Sequence, residues 1–296
     1  MIDYKKILEE IYNNLYIKDV DFSTNIFLCG AETGKKDSIR DLLNAEFKKN
    51  AKFNAVYREY IFASLYGKGK ENLLELEDDL AKYVDIIVMP LEGIGTFCEL
   101  GAFAVNKTLL PKIIVINNEK HKKSKSFINL GPIDLVKKHN PDNLIFFKTG
   151  DEQNVVPKMV DKIKFKRYKK IPSYELENLF NLSRYLLYLI AFFQPIDKKL
   201  ITKLFKTLDK GKIKNKYIDS AIQILTQKNR IEQDIDDTTF NNIFTLSDDG
   251  HNYIYEELIV RLKAKRDFTQ IRTEILNNKY KRKWKNMSKV KKELLV

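Results

Sequence analysis

Between residues 24 and 148 the chain alternates short unbroken apolar runs with longer amphipathic stretches. NIFLC (25–29), DIIVMP (85–90), KIIVIN (112–117) and LIFFK (144–148) are too short for helices and lack any polar period. They predict strands, and DIIVMP and KIIVIN are continuous as strands covered on both faces should be. NAVYREYIF (54–62) alternates and is rich in aromatics, which predicts a further strand. The stretches between them have helical spacing. KKDSIRDLLNAEFKKN (35–50) sets Ile39, Leu42, Leu43 and Phe47 on one face, and ENLLELEDDLAKYV (71–84) does the same with Leu73, Leu76, Leu80 and Tyr83. Strands in alternation with helices predict an α/β fold with a doubly wound, mostly parallel sheet.

From about residue 173 the pattern changes. Residues 174–193 predict a long apolar helix that stops before Pro195, followed by helices over 196–209 and 216–229. RIEQDID, a turn and NIFTLSDDG then predict a two-strand hairpin, and 249–278 is helical again. Three helices and a hairpin are the order of a winged helix-turn-helix. The sequence thus divides into an α/β domain over 1–165 and a mainly α domain over 173–296 that ends in a basic tail.

Composition narrows the setting. Hydrophobic residues make up 44% of the 296, enough for a substantial core. No apolar run approaches about 18 residues, so no membrane span is expected. The opening MIDYKKILEEIYNNLY is an amphipathic helix and not a signal peptide. Two cysteines, Cys29 and Cys98, both in apolar settings, are expected as buried free thiols of a cytoplasmic protein. The formal net charge is +13. Lysine is frequent throughout, so the location of the charge tells more than its total. Residues 279–296 carry eight Lys or Arg against Glu293, and 158–170 carry seven against Asp161. Runs of this kind suit nucleic acid or acidic lipid.

Two glycine-bearing loops follow strands at the end of the sheet where ligands bind in this architecture. One is Cys29-Gly30-Ala31-Glu32, the other Leu91-Glu92-Gly93-Ile94-Gly95-Thr96. Glycine there allows a tight turn and close approach of a ligand to backbone amides, and a helix beginning near Thr96 points its positive end into the same crevice. Gly30, Gly93, Gly95 and Thr96 are therefore candidate substrate-binding residues. Glu99 has two readings. Thr96-Phe97-Cys98-Glu99 fits a capping box, with Thr96 capping the helix and Glu99 reaching back; alternatively the loop holds Glu99 against a substrate. Neither a dinucleotide fingerprint nor a P-loop lysine is present. His121, His139 and His251 lack metal-ligand spacing, so no metal site is expected.

GTFCELGAFA after DIIVMPLEG resembles the motif of nucleoside deoxyribosyltransferase-like proteins. More closely, NIFLCG (25–30), LLELEDDLAKYVDIIVMPLEGIGTFCELGAFA (73–104), KSKSFINLGP (123–132) and IRTEILNNKYKRK (271–283) resemble the effector proteins of retron anti-phage systems, which join such a domain to a winged helix. The resemblance implies a toxic N-glycosidase in which Glu99 is the nucleophile that attacks an anomeric carbon. It further implies NAD as substrate, hydrolysed to nicotinamide and ADP-ribose without a cofactor. Glu77 matches a second family carboxylate, with Glu in place of Asp, in the role of orienting Glu99 or the leaving base; a solvated helix acid is the other reading. Asp85 and Asn129 fall at matched positions near the site, although Asp85 also suits support of the strand start and Asn129 a turn before Gly131-Pro132. The transferases carry a carboxylate where this chain has Gly93, with Glu92 beside it, and a tyrosine where it has Phe27. Those departures turn the expectation from transfer toward hydrolysis. Alternatives are a deoxyribosyltransferase or hydrolase acting on (deoxy)nucleotides, and a non-enzymatic DNA-binding regulator.

The partners implied are a retron reverse transcriptase with its RNA-linked multicopy single-stranded DNA, in an oligomer or larger assembly and away from membranes. In the winged helix, 216–229 is the expected recognition helix. Its candidate nucleic-acid contacts are Lys216, Gln223, Gln227, Lys228 and Arg230. Lys281, Arg282 and Lys283 add tail contacts, and Trp284 is placed to stack on a base or to anchor the tail.

Overall fold

A computed structural model describes residues 3–19, 23–31, 38–50, 52–57, 80–166, 174–209, 211–236 and 240–293, apart from the side chains of 165–166 and 282–293. The chain divides into two compact units, one of residues 21–172 and one made of 1–20 together with 173–296.

The chain opens with helix α1, Tyr4–Ile11, which runs on into a π-helical turn over Tyr12–Tyr16. The α/β unit then supplies β1 (Thr24–Leu28), α2 (Ile39–Lys48), β2 (Phe53–Val56), β3 (Ile86–Pro90), α3 (Ile94–Ala104), β4 (Ile113–Asn118), α4 (Phe127–Leu130), α5 (Pro132–His139), β5 (Leu144–Phe147) and α6 (Val155–Lys166). The five strands are all parallel, in the order β2-β1-β3-β4-β5. β1 and β3 are buried at every position, as their unbroken apolar sequence requires. One face of the sheet carries Ile26, Leu28, Ile86, Val88, Ile114 and Ile116 against Ile39, Leu43 and Phe47 of α2 and Val155, Met159 and Ile163 of α6. With the period-2 alternation of strands, Phe27 points the other way and meets Phe103 of α3, ring centroids 6.3 Å apart. The sheet is therefore wound on both faces, and the winding reverses between β1 and β3. Of the expected strand over 54–62, the part beyond Tyr57 lies outside the described residues, as does the expected helix over 71–84 up to residue 79; 80–83 are helical.

The second unit continues with α7 (Leu179–Phe193), β6 (Ile196–Asp197), α8 (Lys198–Asp209), α9 (Asn215–Gln227), β7 (Ile231–Ile235), β8 (Asn242–Leu246), a helical segment from Asp248 to Arg261 and α10 (Lys265–Glu293). β6, β8 and β7 form an antiparallel three-stranded sheet in that order. α7 is its core, with Tyr185, Leu186, Leu189, Ile190 and Phe192 fully buried.

The N-terminal helix, expected within a 1–165 domain, belongs to this second unit. Ile7, Leu8, Ile11, Leu15 and Tyr16 are at most 1% exposed. The Tyr185 hydroxyl donates to the Leu8 carbonyl at 3.0 Å and the Tyr16 hydroxyl to the Asn181 carbonyl at 3.3 Å. Arg261 pairs with buried Asp19 at 2.5 Å. An amphipathic pattern shows that a helix has an apolar face but not which distant segment covers it. Among the described residues no helix is long and apolar enough to cross a membrane.

Candidate active site

In a doubly wound sheet of this order the ligand crevice opens at the carboxyl ends of the two strands where the winding reverses, here β1 and β3. The loops that follow those strands meet. A Cβ on Gly93 would stand 3.8 Å from the Ala31 Cα and 3.9 Å from the Gly30 carbonyl oxygen. The position where a transferase has a carboxylate thus faces the first loop.

Two residues missed by the sequence reading build this floor. The Glu92 carboxylate accepts from the backbone N–H groups of Ile39 at 2.8 Å and Arg40 at 3.3 Å, so it is the anion at the N-terminus of α2. Arg40 is 2% exposed. Its guanidinium donates to the Ala31 carbonyl and lies 4.4 Å from the centre of the Tyr57 ring. Gly30 rests on its side chain with φ +139°, and a Cβ at Gly30 would come within 2.9 Å of the Arg40 Cβ. Helical spacing placed Leu42 in the buried stripe of α2, whereas Arg40 is buried and Leu42 only half-buried. The one available signal was an arginine in the first turn of a helix that follows a glycine loop.

α3 begins one residue after Gly93, its N-cap, without a side-chain cap bond. The capping-box reading is overturned: Thr96 is the third residue of the helix and Glu99 the sixth, too far along to close the first turn. The reason lies in Gly93, whose extended backbone (φ −140°, ψ 156°) takes the N-cap position three residues earlier. Thr96, Glu99, Leu100 and Phe103 are the buried face of α3, with Thr96 1% and Glu99 7% exposed. Helical side chains lean toward the helix N-terminus, which for α3 is the crevice. The Thr96 hydroxyl has no hydrogen-bond partner among the described residues. Buried polar atoms are nearly always bonded, and one left open beside the crevice is disposed for a ligand.

A family model described as STM3845 retron effector protein matches residues 36–233, well over half of the chain. The chain belongs to this family of retron effectors. It is 29% identical over 234 residues to the "Retron Ec86 putative ribosyltransferase/DNA-binding protein" of Escherichia coli, covering 74% of this chain and 76% of that one. It is also 39% identical over 117 residues to the Ec73 protein of the same description and organism, covering 38% and 37%.

The remaining expected residues of the effector are spread more widely. Asp85 stands at the opposite, amino end of β3. Its carboxylate accepts from the Asn25 N–H at 2.8 Å and its own N–H donates to the Asn25 carbonyl at 2.9 Å, so it supports the strand start and is no crevice residue. Beside it Lys112 donates to the carbonyls of Ala81 at 3.2 Å and Lys82 at 2.7 Å, and burial holds its pKa below the usual lysine value. Asn129 lies in the connection after β4, at the crevice end of the sheet. Both hydrogens of its amide are given to the carbonyls of His121 (2.6 Å) and Ser124 (2.7 Å), which close that loop. Gly95 is exposed on the first turn of α3. Glu77 lies outside the described residues. Cys29 and Cys98 are both free, but Cys98 is exposed on the outer face of α3, contrary to its expected burial. Among the described residues no cluster could hold a metal ion.

In the second unit, α9 buries Ile218, Ser220, Ala221, Ile222, Ile224 and Leu225, which leaves Lys216, Gln223 and Gln227 only partly open. Lys228 is exposed at the end of α9. Arg230 is turned onto its own unit, donating to the Asp249 carbonyl at 2.8 Å with its guanidinium 4.4 Å from the centre of the Tyr253 ring. Lys281 is exposed on α10; the side chains of Arg282, Lys283 and Trp284 lie outside the described residues.

Proposed function

We propose that this retron effector cleaves an N-glycosidic bond, hydrolysing NAD to nicotinamide and ADP-ribose, with Glu99 as nucleophile. The observation that carries the proposal is the placement of Glu99: a carboxylate buried on the inward face of the helix that starts at the β3 end of the crevice, one turn beyond the unpartnered Thr96 hydroxyl. Burial keeps water from competing with the carboxylate for a developing sugar cation. A Glu99 oxygen attacks the anomeric carbon as the bond to the pyridinium nitrogen breaks. The bonding pair stays on nitrogen, nicotinamide leaves neutral, and an ester links the ribosyl carbon to Glu99. Water then attacks the same carbon, Glu99 departs as carboxylate and one proton is released. Gly93, in place of a transferase carboxylate, leaves room at the first loop. The descriptions of the Ec86 and Ec73 relatives as ribosyltransferases favour a ribosyl over a deoxyribosyl donor.

The second unit supports control by a nucleic acid. Helix, strand, helix, helix and two strands, α7 to β8, is the order of a winged helix, and the same relatives are described as DNA-binding. In this reading the effector works in the cytoplasm, held by a retron reverse transcriptase and its RNA-linked DNA until released. Chromatographic detection of nicotinamide from NAD, for effector alone and assembled with those partners, tests the activity. Glu99→Gln should lower the rate by at least about 100-fold with an unchanged melting temperature. Equal rates for Glu99→Gln and wild type, or free base from a deoxynucleoside with NAD untouched, would overturn the assignment.

A further inference from the structure

The nucleic-acid contact expected from a winged helix falls on the recognition helix and wing, and here both are poorly suited to it. α9 is held on most sides by the core, and β7 of the wing exposes Glu232 and Asp234. Among the described residues of the unit a positive surface lies one helix earlier. α8 buries Ile201, Leu204 and Phe205 on one side. Its other side carries Lys198, Lys199, Thr202, Lys203, Lys206 and Thr207, which line an open groove of about 640 Å³. At 1.5 Å per residue the four lysines spread over about 12 Å of helix.

Among the described residues no acid answers Lys199 or Lys206. Lys198 is tied to Asp219 at 2.5 Å and the Lys203 ammonium lies 5.3 Å from the centre of the Tyr4 ring. Asp209, the one acid of α8, has its carboxylate bonded to the N–H groups of Gly211 and Ile213. On neighbouring α1, Lys5 and Lys6 are matched by Glu9 and Glu10. Lys199 and Lys206 are exposed and without an ionic or hydrogen-bond partner among the described residues, and the Thr202 hydroxyl lies between them along the groove.

We propose that this face of α8 is the DNA-binding surface of the effector: Lys199, Lys203 and Lys206, with the Thr202 hydroxyl, follow a sugar-phosphate backbone. The inference rests on the DNA-binding reading above and relocates the contact from α9 to α8. Lysines along a shallow groove neutralise phosphates without reading base edges, so binding is weakly sequence-specific and steeply salt-dependent.

The test uses the full chain and a fluorescein-labelled DNA hairpin with a single-stranded extension, titrated by anisotropy between about 50 and 200 mM salt. The double variant K199E/K206Q introduces its acid in the first turn of α8, where the helix dipole favours it, and circular dichroism checks its fold. Affinity should fall more than about tenfold, and the slope of log affinity against log salt should flatten by about two. The matched variant K107Q/K120Q, on exposed positions of the α/β unit, should stay within about twofold. Amine labelling read by mass spectrometry should show Lys199 and Lys206 protected when the hairpin is bound. If wild type binds and K199E/K206Q binds equally well with both lysines unprotected, the assignment to α8 fails while the DNA-binding reading stands. If wild type does not bind the hairpin, both fail. Loss of binding to anionic lipid vesicles with DNA affinity intact would also overturn it.

Discussion

The buried face of α3 sets a hydroxyl with no bonded partner among the described residues one turn before a carboxylate. Leaving a buried donor open costs about 1–3 kcal/mol, so Thr96 is a poor choice for stability alone. Thr96→Val keeps the shape and removes the open group. Its melting temperature should hold or rise, whereas KM for NAD should increase several-fold; an unchanged KM would leave Thr96 a packing residue. Gly30 is constrained differently. With φ +139° and Arg40 packed against it, Gly30→Ala should cost about 1–3 kcal/mol, seen as a lower unfolding midpoint in urea, and should shift the Ala31 carbonyl that Arg40 holds.

At the scale of elements, Gly250 is the most tightly packed glycine among the described residues of the second unit. A Cβ there would lie 1.9 Å from the Arg230 carbonyl oxygen, which also accepts from the Ser247 N–H at 3.2 Å. Gly250→Ala must push the end of β8 away from the start of β7, at a cost of at least about 2 kcal/mol; thermal unfolding of the variant measures it. The elements also show what a sequence does and does not disclose. β1, β3 and β4 were legible because a strand buried on both faces leaves an unbroken apolar run, β5 because its four residues are apolar although it is a partly buried edge strand, and α7 because it is apolar nearly all round. β6 was not, since two residues, Ile196 and Asp197, carry no periodicity. The start of α3 was misplaced by three residues because Thr96 and Glu99 match a capping box as letters, while the backbone at Gly93 decides where the helix begins. The place of Glu99 was legible from the strand and glycines before it. The roles of Glu92 and Arg40 were not, because Glu92 reaches the start of α2 and Arg40 reaches from α2 to the first loop, contacts between distant segments that no local spacing encodes.

Across the molecule, tyrosines gather where α1 and its π-turn cover α7. Burial pushes the Tyr16 phenol up to about 12, and Tyr12, Tyr185 and Tyr188 are raised for the same first reason. A raised phenol pKa means the folded state keeps a proton that the unfolded chain gives up above about pH 10. The stabilisation is complete below that pH and is lost as pH rises through about 12, by up to about 1.4 kcal/mol per pH unit for each buried phenol. Circular dichroism and phenolate absorbance followed together should show the second unit melting in this alkaline window as its tyrosines ionise. Ionisation of all fifteen tyrosines with helicity retained would contradict it.

The pairing of residues 1–20 with 173–296 also has a consequence for the order of synthesis. As the chain leaves the ribosome, the α/β unit is complete once residue 172 has emerged. α1, made first, must wait for α7 before Ile7, Leu8 and Ile11 are covered. Domains fold in the order they are made, so each new molecule would have its α/β sheet assembled before the second unit can form. Under the proposed function, the crevice of the α/β unit would be formed before the unit proposed to bind nucleic acid, so any restraint acting through the second unit would come later than the site it restrains.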